Sequence, residues 1–251
     1  MNTSVQLCSK LILDAKRIAV LTGAGVSTAA GIPDFRGPKG LYVTRQYDPD
    51  TIFDINFFYR NPQPFFDFAR DFVNLSNTIR PTKTHQFLSQ LEKSRKLKGI
   101  VTQNIDSLHQ MAGSKNVYEM HGSFWKNFCL NCDKEFPYKD FWDKLSQEKI
   151  PHCSCGGVIK PDIVFFGENV KYFDKSVALA KEADLLFVIG TSCVVYPAAS
   201  IPDYCDGKVI VANMTPVSLN HPNIVLSIEH DLDSFFESVG KEIFSNQLEN
   251  K

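Results

Sequence analysis

The 251-residue sequence predicts an α/β fold with a doubly wound parallel sheet and a second, smaller domain. Three observations support this prediction. Short apolar runs alternate with segments of helical periodicity over most of the chain. A glycine-rich stretch, residues 22–37, directly follows the first apolar run, where a strand of such a sheet would end. Two close pairs of cysteines lie in residues 123–160, where the alternation is interrupted.

The first half of the chain alternates as a parallel sheet requires. Residues 5–16 have the periodicity of an amphipathic helix and lead into an apolar run at 17–21, which we expect to be a buried strand. Residues 37–56 are dense in glycine, proline and aspartate, which predicts a mobile cover over a ligand. Helical spacing returns at 65–73, in an aromatic stripe that favours a core, and we expect a further helix at 84–91 and then a strand at 99–102.

The second half repeats this order around the cysteine block. A strand is expected at 116–120, and the alternation resumes after the block with a strand at 162–166 and a helix at 174–182. Strands at 185–190 and 208–213 and a last helix from about residue 231 complete it. Alternating strands and helices predict a parallel, Rossmann-like sheet with right-handed crossovers.

Composition and charge exclude several classes of protein. With 43% hydrophobic and 22% charged residues, the chain has the composition of a globular domain rather than a disordered segment. The net charge of -1 provides no overall field for nucleic acid or an anionic membrane, so neither partner is expected. No apolar run is long enough to span a bilayer and no secretory leader is evident, and we therefore expect a cytoplasmic protein.

The glycine-rich stretch predicts a phosphate site. Gly23 and Gly25 have no Cβ, so their backbone can approach a diphosphate, and the amides of a following helix would point at its charge. Gly31 comes six residues after Gly25, which differs from the G-x-G-x-x-G pattern of ordinary dehydrogenases. A Gly-x-Gly pair alone also occurs in plain turns.

The cysteine pairs predict one structural zinc ion. Cys129-x-x-Cys132 and Cys153-x-Cys155 offer four thiolates, the donor set of tetrahedral Zn(II) with no open position for water. A redox C-x-x-C leaves the second pair unexplained, and a nucleic-acid-binding zinc ribbon would require a more basic block. Replacement of one thiolate by His152 remains an alternative.

Acid/base chemistry is predicted at His121. This histidine follows the strand expected at 116–120, and an imidazole exchanges protons near neutral pH. The sequence contains no G-x-S-x-G elbow of a serine hydrolase. It also offers no second set of histidine and carboxylate ligands of the kind that metal-assisted hydrolysis requires.

Six motifs together resemble the sirtuins, the NAD-dependent protein-lysine deacylases, and the match favours a prokaryotic-type deacetylase. They follow the family's order from about residue 18 to about residue 232 and cover nearly the whole chain. The motifs are Thr22–Gly37, Thr102–His109, His121-Gly122, Phe165–Glu168, Gly190–Ser192 and the four paired cysteines.

The resemblance implies acyl transfer from lysine to NAD. The acyl oxygen attacks the ribose carbon as nicotinamide leaves, and His121 then acts as general base on the ribose diol. Asn104 and Asp106 would hold the nicotinamide amide and an ordered water beside Ile105. The residues implied to bind the cofactor are Gly23, Ala24, Gly25, Ser27, Thr28, Asp34, Phe35, Arg36, Gln103, Asn104, Ile105, Asp106, His121, Gly190, Thr191, Ser192, Asn213, Asp231 and Leu232, with Asn104 and His121 as the catalytic pair.

The same resemblance implies the substrate and the domain organisation. Acetyl-lysine proteins or peptides would bind as an added strand along Val164, Phe165, Gly167, Glu168 and Val195. We expect a monomer. The Rossmann-like domain would comprise residues 1–36, 80–122 and 161–251, and a small domain with a helical and a zinc-binding module would comprise residues 37–79 and 123–160.

One substitution bears on the acyl group. Sirtuins that prefer succinyl or malonyl lysine have a Tyr-x-x-Arg pair in the acyl pocket, and the matching stretch here is Phe66–Ala69, with no arginine at the fourth position. Asp34 also matches the deacetylase form of the cofactor loop. The sequence therefore predicts an acetyl or longer apolar acyl group, although Arg70 lies only one residue further on.

Four other functions remain open at this point. A deacylase for longer chains or a protein ADP-ribosyltransferase would use the same NAD site. A dehydrogenase would also use a strand, a turn and a histidine, but would require the missing glycine spacing. A non-catalytic NAD- or zinc-dependent interaction module would not depend on His121.

Overall fold

The structure is a computed structural model and describes residues 2–34, 47–76 and 78–245. Its helices are α1 Asn2–Asp14, α2 Pro49–Ile52, α3 Ile55–Arg60, α4 Gln63–Ser76, α5 Lys83–Lys93, α6 Leu108–Met111, α7 Tyr138–Gln147, α8 Phe173–Glu182 and α9 Leu232–Ser245. Its strands are β1 Ile18–Thr22, β2 Leu97–Thr102, β3 Val117–Glu119, β4 Gly122–Cys129, β5 Glu135–Pro137, β6 Ile159–Ile163, β7 Leu185–Ile189, β8 Lys208–Asn213 and β9 Ile224–Glu229. Within the part of the chain described, none of the helices is long and apolar enough to cross a membrane.

The larger sheet has six parallel strands in the order β3-β2-β1-β7-β8-β9. This is the strand order of dinucleotide-binding folds, and it reverses direction between β1 and β7. Every strand of this sheet except β9 lies where the sequence predicted one. The sequence analysis did not assign β9, an edge strand with mostly half-exposed residues.

Helices cover both faces of this sheet. On one face α1, α5 and α9 pack together over a core that includes Ile12, Phe87 and Phe236. On the other face α8 and a 3₁₀ segment, Ala198–Tyr204, pack on a second core. The central strands β1 and β7 are fully buried, as the continuous apolar runs predict. The doubly wound α/β class is confirmed.

A smaller antiparallel sheet, in the order β5-β4-β6, forms a separate layer. It shares a core of phenylalanines with the segment 47–76, in which Phe58, Phe65 and Phe66 are fully buried. The prediction that residues 162–166 form a strand of the parallel sheet is wrong. Residues 159–163 instead pair with β4, and Ile159 and Ile163 pack in the phenylalanine core. An apolar run does not encode which sheet it joins.

The two sheets correspond broadly to the two predicted domains. The segments 47–76 and 122–163 build the core of the small part, and the remaining described elements build the other two large cores. The predicted boundary between residues 160 and 161 falls inside β6. The exact division of the chain stays a prediction.

Candidate active site

A cavity of about 860 Å³ lies at the carboxyl ends of β1, β2 and β7 and extends to the phenylalanine core. Ligands of open α/β sheets bind where the strand order reverses, and this cavity occupies that position. Small-molecule sites range from about 300 to about 1,000 Å³, so the volume of this cavity lies near the upper end of that range. A dinucleotide and an extended side chain together would need a space of this size.

The glycines after β1 are required by the close approach of two backbones. Gly23 N–H donates to Ile189 O at 3.1 Å and Gly25 N–H donates to Gly190 O at 2.8 Å. A Cβ on Gly23 would lie 2.7 Å from Gly190 O, and one on Gly25 would lie 2.8 Å from Gly190 Cα. Any larger residue would push the turn into the cavity or away from β7. The two glycines therefore allow the turn to pack directly against the backbone at the end of β7.

Between residues 23 and 34, the described part of the segment after β1, the predicted helix is absent. Two 3₁₀ turns, Ala24–Val26 and Thr28–Ala30, take its place and end at Gly31, which has φ 92°. Pro33 then prevents regular hydrogen bonding. The anion contacts predicted from a helix dipole must come here from individual backbone amides, since the turns are too short to sum their dipoles.

A polar cluster forms the inner end of the cavity. Ser27 Oγ donates to Asp106 Oδ2 at 2.6 Å, and Asn104 Nδ2 donates to Gly23 O at 3.1 Å and to Ser27 Oγ at 3.2 Å. Asp106 Oδ1 also accepts from Leu108 N at 2.9 Å and so caps α6. Burial raises the pKa of Asp106, while the hydrogen bonds from Ser27 and Leu108 lower it. The carboxyl and amide groups are thus fixed before any ligand binds.

His121 lies beside this cluster, directly after β3. Its Nδ1 lies 2.9 Å from Gln103 O, and because a carbonyl oxygen can only accept, Nδ1 carries the proton. Nε2 therefore has a free lone pair. Burial lowers the pKa of His121 below its ordinary value of 6.5, and the hydrogen bond to Gln103 opposes this shift. The neutral imidazole that a general base requires is the form present at pH 7.

The segment after β6 forms the wall opposite the glycine turn. Val164 N–H donates to His121 O at 2.9 Å, so this wall is tied directly to the histidine. Glu168 Oε2 accepts from Phe165 N at 2.8 Å and from the buried Lys160 Nζ at 2.9 Å. Gly167, with φ 96°, makes the turn between them. The Glu168 side chain holds the loop in place, and the amides of Phe166 and Glu168 donate to Phe53 O and Phe165 O.

The far end of the cavity is formed by loops after β7, β8 and β9. Gln103 Nε2 donates to Thr191 Oγ1 at 3.0 Å, which links this end to the polar cluster. Asn213 Nδ2 donates to Thr215 O at 2.9 Å. Asp231 Oδ1 accepts from Ser234 N at 2.8 Å and caps α9, a contact that lowers the pKa of Asp231. Leu232 is buried in the core beside it.

The four cysteines meet at the tip of the small sheet. The sulfurs of Cys129, Cys132, Cys153 and Cys155 all lie within 4.8 Å of one another, with separations of 3.4, 3.5 and 3.8 Å among them. A tetrahedral zinc ion with Zn–S bonds of about 2.3 Å separates its sulfurs by about 3.8 Å. The Asn131 N–H points at Cys129 Sγ at 3.4 Å, which favours a thiolate. The residues fit a zinc ion, and His152 is not among them.

A comparison with protein families decides the relationship of this chain. The model of the Sir2 family matches residues 23–197, which include the glycine turn, the polar cluster, His121 and the cysteines. The chain belongs to the Sir2 family. Among curated relatives of this Sir2-family chain, the NAD-dependent protein deacetylase of Sulfurisphaera tokodaii is 43% identical over 215 residues, which cover 84% of this chain and 85% of the relative.

Solved Sir2 structures have the same fold as this Sir2-family chain. A Sir2 complex with a p53 peptide and NAD+ matches with a TM-score of 0.87 at 36% identity, covering 95% of this chain and 98% of the other. A Sir2 variant with a deacetylated p53 peptide and 3′-O-acetyl-ADP-ribose also has a TM-score of 0.87, at 35% identity and the same coverage.

The structure brings together every predicted cofactor and substrate residue that it describes. All of them line the one large cavity, from Gly23 to Leu232. Phe35 and Arg36, and most of the predicted cover at 37–56, lie outside the described residues. The sequence analysis missed several wall residues, of which Phe68 and Phe72 were read only as core; the others include Ile32, Phe53, Ile163, Phe166, Tyr196, Met214 and Asp233.

Near the phenylalanine core, α4 of this Sir2-family chain contributes to the cavity wall. Phe66 is fully buried and does not line the cavity, whereas Phe68 and Phe72, one helical turn apart on α4, do. Arg70 points to the opposite side, where its Nη1 donates to Lys149 O at 3.0 Å and to Glu148 O at 3.2 Å. Among the lining residues that the structure describes there is no lysine or arginine.

Proposed function

We propose that this chain is an NAD-dependent protein-lysine deacetylase that releases nicotinamide and O-acetyl-ADP-ribose. The observation that carries the proposal is the geometry of His121, whose Nε2 is a free base beside the Asn104–Asp106 cluster in a dinucleotide-sized cavity. Family membership supports it, since the Sulfurisphaera tokodaii relative is named an NAD-dependent protein deacetylase. The match to Sir2 with a deacetylated peptide and acetyl-ADP-ribose supports the product.

The glycine turn and the polar cluster would hold the two ends of the cofactor. NAD supplies an electrophilic ribose carbon, activated by its nicotinamide leaving group, and a ribose diol. Ala24, Ser27 and Thr28, which line the cavity at the glycine turn, would contact the diphosphate. The amide of Asn104 and the carboxyl group of Asp106 would bind the nicotinamide end. Gly190, Thr191, Ser192, Asn213, Asp231 and Leu232 would surround the adenosine half.

His121 would accept the proton of a ribose hydroxyl. Nδ1–H is fixed on Gln103 O, so the ring can take up a proton only at Nε2. Both His121 and Asp106 line the same cavity. Positioning and electrostatics, rather than a covalent enzyme intermediate, are what this site offers.

An acetyl-lysine would reach the ribose along the wall after β6. Val164, Gly167, Glu168 and Val195 line this wall, and the peptide would bind along it as an added strand through the backbone groups that the fold does not use, such as the carbonyl groups of Val164 and Glu168. Phe165, Phe68, Phe72 and Ile105 give the tunnel its apolar surface. Because the backbone provides most of this contact, acetylated proteins or peptides of varied sequence are the expected partners.

The remaining assignments rest on the same site. Zinc would be held by the four cysteines and would be structural, since all four ligand positions are filled by thiolates. We propose a cytoplasmic monomer that does not bind nucleic acid. The net charge of -1 supports the absence of nucleic-acid binding.

Mass spectrometry of an acetyl-lysine peptide, incubated with and without NAD, tests the function. We expect loss of the acetyl group only with NAD, together with equal amounts of nicotinamide and O-acetyl-ADP-ribose. Consumption of NAD with an intact peptide would contradict deacetylation and identify ADP-ribosyl transfer or NAD hydrolysis. Survival of both NAD and every acyl peptide would identify a binding protein.

Acyl selectivity follows from the absence of a cation in the described lining. A succinyl carboxylate would be buried there without a partner, so we expect succinyl-lysine turnover at least about 100-fold below acetyl-lysine turnover. Butyryl-lysine and hexanoyl-lysine should be accepted, because Phe68 and Phe72 offer an apolar wall. The measurement is kcat/KM for matched peptides that differ only in the acyl group.

Arg70→Ala is the control for this selectivity. The guanidinium lies outside the cavity on the carbonyl groups that follow α7, so the variant should lose stability but keep the acetyl-to-succinyl ratio. A wild-type enzyme that hydrolyses both peptides equally, and loses only succinyl activity in Arg70→Ala, would show that Arg70 reaches the acyl group.

A further inference from the structure

A line of buried hydroxyl and imidazole groups lies behind the polar cluster, outside the cavity. Asn104 N–H donates to Thr102 Oγ1 at 3.1 Å, and Thr22 Oγ1 donates to Thr102 Oγ1 at 2.9 Å. Thr22 Oγ1 is also 2.9 Å from Nε2 of His109. All three side chains behind Asn104 are buried, with at most 2% exposure. None of them lines the cavity.

The hydrogen atoms of this line can be assigned. Thr22 has one hydroxyl proton, and this proton is used on Thr102, so Thr22 Oγ1 must accept from His109 Nε2–H. His109 is therefore a neutral donor at Nε2. Burial, and then the neighbouring His85, lower the pKa of His109 well below its ordinary value of 6.5. The hydrogen bonds of this line therefore all donate in one direction, from the imidazole of His109 to Thr22 and from Thr22 to Thr102.

The same cluster reaches the glycine turn. The rings of His85 and His109 are 4.6 Å apart, and His85 Nδ1 lies 2.8 Å from Thr82 Oγ1. Thr82 Oγ1 donates to Val26 O at 3.0 Å, directly before Ser27. Thr102 thus holds the backbone at Asn104, and Thr82 holds the backbone directly before Ser27. Both threonines belong to one buried set of side chains, which anchors the polar cluster.

Asn104 depends on this anchor because it lies beyond the sheet. The Gln103 N–H still donates to Thr22 O at 3.0 Å as an extension of β1–β2 pairing. Among the described residues, the hydrogen-bond acceptor of the Asn104 N–H is Thr102 Oγ1. Loss of that acceptor would leave a buried N–H unsatisfied, and the segment would move to satisfy it.

We propose that Thr102 and His109 are positioning residues that fix the Asn104 segment for the nicotinamide group. The inference rests on the proposed function only in naming the ligand. An apolar pair would fill the same space at lower desolvation cost, whereas a hydrogen-bonded line specifies one backbone conformation. Neither residue touches the cavity, so each acts through Asn104.

Amide hydrogen exchange of the ligand-free protein is the first test. In Thr102→Val the methyl group replaces the hydroxyl at nearly equal volume, and we expect the Asn104 amide to exchange at least about tenfold faster. Thr102→Ser keeps the acceptor and should restore protection. His109→Gln keeps a donor near the Nε2 position and His109→Leu does not, so the same contrast is expected there with a smaller change.

Ligand affinity is the second test. We expect the inhibition constant of nicotinamide to rise about tenfold in Thr102→Val, while the Kd of ADP-ribose, measured by calorimetry, changes less than about twofold. The conservative variants Thr102→Ser and His109→Gln should remain near the wild-type values. A general destabilisation of the fold would weaken the binding of nicotinamide and of ADP-ribose to the same extent.

The outcomes separate this inference from the proposed function. If the wild-type protein shows no NAD-dependent deacetylation, the proposed function is wrong. The amide-exchange and ADP-ribose data still test whether Thr102 and His109 position the Asn104 segment. An active wild type, with equal Asn104 exchange in the valine and serine variants, overturns the anchor alone. Equal weakening of nicotinamide binding and ADP-ribose binding in Thr102→Val would also contradict the positioning role. If Thr102→Val does not fold, the His109 pair decides.

Discussion

Replacement of His121 by alanine is expected to lower kcat for deacetylation by about 10²- to 10⁴-fold, because the ribose hydroxyl loses its base. Binding of NAD should change little, since the diphosphate and adenosine contacts lie elsewhere in the cavity. The measurement is acetyl-ADP-ribose formation at saturating NAD and peptide, with NAD affinity determined by calorimetry on the same preparations.

His121→Asn separates the base from the position of the ring. The asparagine amide can still donate to Gln103 O but provides no base, so it should be as inactive as alanine. His221→Ala, outside the cavity lining, is the matched control and should retain full activity. Substantial activity in His121→Asn would show that His121 serves only to hold the backbone.

The pH profile provides an independent check on the same residue. A base works only when deprotonated, so activity should increase with pH through the pKa of His121 and level off above it. Burial lowers that pKa below 6.5, so the midpoint of the acid limb should lie below 6.5. A midpoint clearly above 6.5 would contradict the assigned environment.

Removal of zinc is expected to unfold the small sheet. Structural zinc contributes about 10–16 kcal/mol of binding free energy in zinc-finger peptides, which is comparable to the total stability of a domain, about 5–15 kcal/mol. Cys129 ends β4, and Cys153 and Cys155 precede β6, so the metal joins the neighbouring strands at one end. Cys129→Ser should lose the ion, lower the Tm and abolish activity.

Metal analysis, thermal unfolding and activity should be measured together. We expect one zinc ion per chain in the wild type and in Cys8→Ala, whose cysteine is buried far from the cluster in the core under α1. A strong chelator should reproduce the Cys129→Ser result. A Cys129→Ser protein with normal stability and activity would show that the cysteines serve another purpose.

Much of the fold was predictable because its signals are local. Residues 18–22, 185–189 and 209–212 are buried on both faces, and a continuous apolar run is how such a strand appears in sequence. The site was predictable for a related reason, since motifs at strand ends converge in a parallel sheet.

The rest depends on contacts between distant residues. The apolar run at 163–166 resembles those of the central strands, and only the pairing of β6 with β4 shows that the chain joins the small sheet here. Phe68 and Phe72 have the spacing of core residues, and they are core residues whose outer faces also line the cavity. Arg70 is held by Asp67, one turn earlier on α4, and by carbonyl groups after α7, and only the second set of contacts has no local pattern near residue 70.

The phenylalanine core has a consequence for biosynthesis. Its helical half, within residues 47–76, leaves the ribosome well before the strands at 122–163 that cover it. Phe58 and Phe65 therefore remain without their contact to Phe165 while the intervening sheet strands are still being translated. Exposed apolar surface of this kind favours aggregation, which makes the nascent chain a candidate for chaperone binding in this interval. Because its contacts span a long stretch of sequence, this core should also form late during refolding.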